Sequence, residues 1–205
     1  KEYRRQRQMC IRDRAKSLGH ADPTLAHVAY RAIEALGTYQ PALGVLNNPS
    51  SSSSQRKGAS FALMRIHNTE VVNSLEEHLK DPKDILFDHS FEILARLYHK
   101  EKEWDNKHWG GRPDTRGPYY EMSTWEQSSH ILNILRQAVS LVSNEKVGVY
   151  LAMMSQNRIE DNESLLKMVE FARKDSSLIP TMASQLVDKE DIPDPALQIL
   201  ASSAN

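Results

Sequence analysis

The chain has 205 residues and a mass of 23.3 kDa, and its 40% apolar and 26% charged residues give a mean hydropathy of −0.58. This length is enough for one domain with a hydrophobic core or for a short repeat array. No run reaches the roughly 18 apolar residues that a membrane span needs. The 26 basic and 27 acidic residues leave no excess positive charge for binding phosphates. The composition therefore excludes a transmembrane protein and does not favour nucleic acid as a partner.

The tract KEYRRQRQMCIRDR, residues 1–14, differs from the rest of the chain. Six of the 26 basic and two of the 27 acidic residues lie here, so the remaining chain has a net charge of −5. Such a tract is typical of a basic arm that binds an anionic surface or nucleic acid, or of a disordered terminus. We favour a third interpretation, because RRQRQMCIRDR resembles the translated sequencing adapters found in metagenomic assemblies. We therefore expect residues 1–14 to be a disordered or artefactual tail that is not part of the fold.

The single cysteine, Cys10, lies within this tract. Without the tract the chain has no disulfide, no thiolate nucleophile and no cysteine metal ligand. We expect the remainder, residues 15–205, to be a fragment of a larger protein.

Helical patterns begin at Pro23. The pair Asp22-Pro23 predicts a helix start and Gly37 predicts its end. Apolar residues recur between them at spacings of three and four: Leu25, Val28, Ala29, Ala32, Ile33 and Leu36. A short apolar segment, 39–46, follows, and the polar stretch NNPSSSSSQRKG, 47–58, predicts a loop.

A second set of helices follows the same plan. Residues 59–66 fit one helix, and Thr69 can cap another whose inward side chains are Val71, Val72, Leu75 and Leu79. The pair Asp81-Pro82 predicts the start of a long helix that runs from about Lys83 to Glu103. The apolar face of that helix is formed by Ile85, Leu86, His89, Ile93, Leu94, Leu97 and Tyr98.

The C-terminal half also shows helical patterns. Thr124-Trp125-Glu126 predicts a helix start, and four further short helices are predicted: 147–154, 165–171, 179–186 and 195–200. The weak strand candidate is Val-Gly-Val-Tyr, 147–150. Short helices in antiparallel pairs predict an all-α fold, a HEAT-like α-solenoid over residues 15–205, with an irregular helical bundle as the alternative.

The segment 101–127 does not fit a helix pair, and we expect a loop insertion at about 104–123 that is rich in aromatic residues, Gly and Pro. All three tryptophans of the chain lie in this segment. Because Trp, Tyr and Arg bury a large area and retain polar groups, they favour a contact surface. The candidate interaction residues are Trp104, Trp109, Arg112, Asp114, Arg116, Tyr119, Tyr120 and Trp125. The alternative is that these side chains only hold a long loop over neighbouring helices.

This segment also carries a resemblance to a known family. The string WGGRPDTRGPYYEMSTWE, with LARLYHKEKEW upstream, resembles the helical-repeat region of the PVC-type haem-binding CxxCH proteins, which are exported, membrane-bound dehydrogenase-like proteins of planctomycete-type bacteria. The sharpest part runs from Trp109 to Tyr120. The resemblance implies a dehydrogenase-like propeller before the repeats, a c-type cytochrome domain after them, and a periplasmic or exported location. This chain lacks Cys-x-x-Cys-His, so we expect haem c only in a neighbouring domain and no cofactor here.

No catalytic pattern stands out in the chain. The eight histidines show no His-x-x-x-His or His-Glu-x-x-His spacing, no phosphate-binding glycine loop is present, and no cysteine or serine is paired with a base. His99 and Glu103 are four residues apart and could share a helix face, and His89 is expected to be a hydrogen-bonded core residue. We therefore expect a non-catalytic scaffold that contacts neighbouring domains of the same polypeptide. The alternative is a free-standing HEAT-type module that binds protein or nucleic acid.

Overall fold

The computed structural model of the chain describes residues 14–102, 121–159, 161–184, 186 and 192–203. Within these residues there are ten α-helices, two short 3-10 helices and one sheet of two strands. The prediction of an all-α fold is confirmed. None of the described helices is long and apolar enough to cross a membrane.

The helices follow one another with short connections. Before the sheet lie α1 (Pro23–Leu36), α2 (Gln40–Asn47), α3 (Ser53–Leu63), α4 (Thr69–His78) and α5 (Phe87–Leu97). The sheet pairs β1 (Lys100–Glu101) with β2 (Met122–Ser123). After it lie α6 (Ser128–Leu141), α7 (Asn144–Gln156), α8 (Asn162–Ala172), α9 (Ile179–Ser184) and α10 (Asp194–Ser203). The 3-10 helices are Ser17–Gly19 and Ser176–Leu178.

The chain divides into two compact units. The first comprises the residues up to Leu97 together with Glu126–Ile131, and the second comprises Tyr98–Trp125 and Leu132 onward. The first unit therefore contains α1 to α5 and the second contains the sheet and α7 to α10, while α6 is divided between them. A single repeat domain over 15–205 stays a prediction.

Each unit has its own core of fully buried apolar side chains. Every helix of the first unit contributes to its core, for example through Ile33, Leu46, Leu63, Leu75 and Phe91. The helices of the second unit do the same through Leu135, Leu151, Leu165, Met182 and Ala196.

Helix α1 begins and ends where the sequence predicts. Asp22 Oδ1 accepts a hydrogen bond from the Thr24 amide at 2.8 Å, and Gly37 ends the helix in the left-handed conformation, with φ at 60°. Asp at the N-cap satisfies an amide that lacks a partner in the helix, and Gly adopts positive φ without a steric cost.

Some residues predicted to face inward are exposed. Leu25 and Val28 of α1 are 48% and 58% exposed, Leu36 is 36% exposed, and Ile85, before α5, is 73% exposed. Helix α1 packs on one side against α3 and the 3-10 helix Ser17–Gly19, so its wide apolar stripe is only partly covered.

The stretch 47–58 is not a loop throughout, and that prediction is wrong for its second half. Helix α3 begins at Ser53, because Ser52 and Gln55 form a capping box. The Ser52 hydroxyl accepts from the Gln55 amide at 3.2 Å, and the Gln55 side chain accepts from the Ser52 amide at 2.8 Å. This reciprocal pair satisfies two amides and begins a helix within a serine-rich sequence.

Helix α4 is capped by Asn68, whose side chain accepts from the Glu70 amide at 2.8 Å. The prediction that Thr69 is the cap is therefore wrong by one residue. The inward face of α4 is confirmed, since all four predicted side chains are buried: Val71, Val72, Leu75 and Leu79.

The predicted long helix 83–103 is wrong at both ends. Asp81-Pro82 forms a turn, and Asp84 then accepts from the amide two residues later at 2.7 Å, so α5 begins at Phe87. Two successive Asp turns thus replace the first helical turn, since Asp side chains readily bond nearby amides. The helix ends at Leu97, because the chain then enters β1.

The four short helices predicted in the C-terminal half are confirmed as α7 to α10. The weak strand candidate 147–150 is helical, since it lies inside α7. The helix predicted to start at Thr124-Trp125-Glu126 begins instead at Ser128, because the preceding residues pair as β2 and then turn into α6.

Candidate interaction site

Strands β1 and β2 form an antiparallel stem on either side of the predicted insertion. The residue pairs are Lys100 with Ser123 and Glu101 with Met122. The ladder continues by one hydrogen bond, since the Lys102 amide donates to the Glu121 carbonyl at 3.1 Å. The Ser123 hydroxyl also donates to the Lys100 carbonyl at 3.0 Å. The chain therefore leaves this stem after Lys102 and returns to it at Glu121.

An ion pair also connects the two sides of the stem. Lys102 Nζ lies 2.8 Å from Glu121 Oε2, and both side chains are exposed. An exposed pair of this kind contributes only about 0.2 to 1 kcal/mol. The backbone ladder, not the ion pair, thus defines where residues 103–120 are inserted.

Seven of the eight predicted interaction residues lie outside the described residues: Trp104, Trp109, Arg112, Asp114, Arg116, Tyr119 and Tyr120. The eighth, Trp125, is half-buried and lies between β2 and α6. Strand β2 occupies the last two positions of the predicted insertion 104–123.

His99 anchors the stem to the helices of the second unit. Its side chain is buried, and Nε2 donates to the Arg158 carbonyl at 2.9 Å, across 59 residues of sequence. The ring of Tyr98 meets that of His99 edge-on, with centroids 4.6 Å apart. The sequence spacing allows His99 to share a helix face with Glu103, but His99 lies beyond the end of α5, and Glu103 lies outside the described residues.

Arg158 occupies the turn between α7 and α8, where it adopts a positive φ of 52°. This conformation is uncommon for a residue with a side chain. Hydrogen bonds hold the turn on both sides, since the Arg158 amide donates to the Ser155 carbonyl at 2.8 Å and the Ile159 amide donates to the Met154 carbonyl at 3.1 Å. These hydrogen bonds fix the direction of the Arg158 carbonyl, which accepts the hydrogen bond from His99.

The next residue group along the chain is an ionic network around the buried carboxylate of Asp161, at the start of α8. Asp161 accepts from Arg136 Nε at 3.1 Å and also from Arg136 Nη2. It also accepts from the Ser164 amide at 2.9 Å and the Ser164 hydroxyl at 2.5 Å, which makes it the N-cap of α8. Arg136 lies on α6, so this network ties two helices of the second unit together.

The network determines the charge of Asp161. Burial acts to raise the pKa of this carboxyl, but the hydrogen bonds from Arg136 and Ser164 outweigh burial and lower the pKa from 3.8 to about 2. Hydrogen bonding to Asp161 raises the pKa of Arg136 above its ordinary value. Both groups are therefore charged at neutral pH. Because its oxygens are already engaged, Asp161 positions helices and is not poised as a general base.

Three residues that support the site were not predicted from the sequence to do so: His99, Arg136 and Asp161. Asp161 could have been recognised, since Asp directly before a helical pattern is an N-cap signal. Arg136 and His99 carry no such local signal, because each finds its partner 25 and 59 residues away.

Among the described residues there is no group of three or more His, Cys, Asp or Glu placed to hold a metal ion. His89 Nδ1 lies 3.2 Å from the Ser60 hydroxyl, so His89 is hydrogen-bonded as predicted, although its side chain is half-buried.

Comparisons of the chain with family models, with curated proteins and with solved structures found no match.

Proposed function

We propose that this chain is a non-catalytic helical-repeat module of the HEAT type, which docks or connects neighbouring domains of a larger protein. By the family resemblance, those neighbours are a dehydrogenase-like propeller and a c-type cytochrome domain of an exported, periplasmic protein. The haem c would then be bound by the cytochrome domain, since this chain lacks Cys-x-x-Cys-His.

The observation that carries the proposal is the stem formed by β1 and β2. It places both ends of residues 103–120 within one hydrogen-bonded ladder, at Lys102 and Glu121. Six of the eighteen inserted residues are Trp, Tyr or Arg, the residue types that contribute most to binding at protein interfaces. Inserted segments held on an ordered base commonly carry binding functions.

The packing of the helices supports the repeat architecture. Each described unit is built mainly from contacts between helices that are close in sequence, such as α2 with α3, α4 with α5, and α8 with both α9 and α10. Local contacts of this kind are what a solenoid of stacked helix pairs uses.

The proposal predicts that interaction residues can be removed without unfolding the module. Trp109→Ala should weaken binding of the neighbouring domains, produced separately, by about 30-fold, and Arg112→Ala should weaken it in the same direction, since a central aromatic or Arg contact contributes about 2 kcal/mol or more. Isothermal titration measures both.

Arg173→Ala serves as the matched control. Arg173 is exposed at the end of α8, so its removal should leave the affinity unchanged. Unchanged binding by both Trp109→Ala and Arg112→Ala would remove the insertion from the interface.

Long-read sequencing of the surrounding reading frame separates this proposal from a free-standing binding module. A propeller upstream and Cys-x-x-Cys-His downstream would support a connecting module. A start codon near residue 15 with a stop near residue 205 would overturn the connection to a haem protein.

A further inference from the structure

A cleft of about 400 Å³ opens in the first unit. Its walls are the turn after the 3-10 helix Ser17–Gly19, the first half of α1, and one face of α3. This volume lies in the range of small-molecule sites, which combine apolar walls with a few polar groups.

The base of the cleft is fixed by two glycines. A Cβ at Gly58 would lie 2.0 Å from the Leu18 carbonyl oxygen, and a Cβ at Gly19 would lie 2.5 Å from Gln55 Cγ. Only glycine permits the 3-10 helix and α3 to approach so closely. The cleft is therefore formed before any ligand binds.

One wall of the cleft is aromatic. The rings of Tyr30 and Phe61 lie 5.6 Å apart, at an angle of 52°. Tyr30 is held in place by His27, whose Nδ1 lies 2.5 Å from the Tyr30 hydroxyl. Phe61 remains 37% exposed, so its ring is available to stack against a planar group.

Two of the side chains that line the cleft, His20 and Lys57, can donate hydrogen bonds to a ligand. The amide of Asp22 donates to His20 Nδ1 at 3.0 Å, so the ring hydrogen of neutral His20 is on Nε2. Lys57 Nζ lies 5.9 Å from the centre of the Phe61 ring and is exposed. Among the described residues that line the cleft there is no Asp or Glu. The nearby carboxylate of Asp22 is engaged in capping α1.

From this arrangement we infer that the cleft binds a small aromatic molecule with one negative charge, such as an aromatic carboxylate. The rings of Tyr30 and Phe61 contact its aromatic group, and Lys57 and His20 receive its carboxylate. The charge of the cleft differs from that of the rest of the chain. Residues 15–205 carry a net negative charge, whereas the side chains that line the cleft are cationic or neutral, so the cleft favours an anion.

The test uses 2-naphthoate as the ligand and neutral 2-naphthamide as its uncharged counterpart, titrated into the full chain by calorimetry. We expect one molecule of 2-naphthoate to bind per chain, and to bind more tightly than the amide. Lys57→Met should weaken the binding of 2-naphthoate by about threefold or more, since it removes the exposed positive charge that receives the carboxylate. The same change should leave the amide unaffected.

Two further variants keep the result interpretable. Lys83→Met removes an exposed lysine outside the cleft and should bind 2-naphthoate as the unchanged chain does. Ala26→Phe places a ring inside the cleft and should abolish binding while the circular dichroism stays helical. Equal binding of carboxylate and amide, no effect of Lys57→Met, or no binding at millimolar concentration would each overturn the inference.

Discussion

Folding is coupled to the ionisation of Asp161. Its pKa is about 2 in the folded chain, against an ordinary value of 3.8. Because the folded pKa is the lower one, the unfolded chain binds more protons between these values. The stabilisation is complete above about pH 5, amounts to about 2 kcal/mol, and is lost as the pH falls toward 2.

We therefore predict that Asp161→Asn lowers the free energy of unfolding by about 2 kcal/mol at pH 7, and that the difference from the unchanged chain falls to about half at pH 3. Urea unfolding at the two pH values measures this. Asp175→Asn is the comparison at an exposed site, where hydrogen bonds from Ser177 alone lower the pKa of the carboxyl, so its loss at pH 7 should be smaller than that of Asp161→Asn. A difference for Asp161→Asn that is the same at both pH values would contradict the account.

The structural role of a single residue was predictable where it depends only on neighbours in the sequence. Asp22 and Gly37 were identified because each acts within its own turn: Asp22 accepts from the amide two residues later, and Gly37 adopts a positive φ. Asn68 was missed in favour of Thr69 because both residue types can cap, and only the backbone conformation selects between them. The partners of His99 and Arg136 could not be predicted, since they depend on how distant helices pack.

At the scale of elements, α3 shows how a close helix contact depends on one glycine. Gly58→Ala should destabilise the first unit by about 3 kcal/mol, because the added Cβ meets the backbone carbonyl of Leu18 at 2.0 Å and backbone cannot move cheaply. Thermal unfolding followed by circular dichroism measures the loss.

Gly44→Ala is the matched control within α2. Nothing lies within 4 Å of a Cβ at Gly44, so this change should stabilise the chain by about 0.5 to 1 kcal/mol through helix propensity. If both substitutions behaved alike, the close approach of the 3-10 helix to α3 would be wrong.

Element boundaries were predictable only in part. Apolar spacing located most of the helices, because burial on one face imposes a helical period. It failed at α5, where two Asp turns delay the helix start, and at the stem, where strands of two residues are too short to show alternation. It also misplaced α3, whose Ser52–Gln55 capping box lies inside a serine-rich sequence.

At the scale of the whole molecule, we predict from the stem that the inserted residues 103–120 can be removed without unfolding the chain. Replacing residues 103–120 by Asn-Gly would join Lys102 to Glu121 through a two-residue turn, which suits an antiparallel pair of strands. We expect the free energy of unfolding to stay within about 1 kcal/mol of that of the unchanged chain. The helical content should be the same in both chains. A large loss would mean that the insertion holds the helices together, which is the alternative weighed for its aromatic residues.

The all-α class followed from the sequence, since helical period and short polar turns recur along the chain. The division into two compact units did not follow, because it depends on which helices share a core. Seven of the predicted interaction residues lie outside the described residues, so their grouping rests on the stem and on their composition.

The central claim, that the module docks its neighbours through residues 103–120, is tested most directly with the Asn-Gly replacement. The neighbouring domains that we propose would be produced separately and titrated into the unchanged chain and into the variant, after circular dichroism has shown equal folding. We predict that binding to the variant is weakened by about 30-fold or more. Equal affinity for both chains would contradict the account.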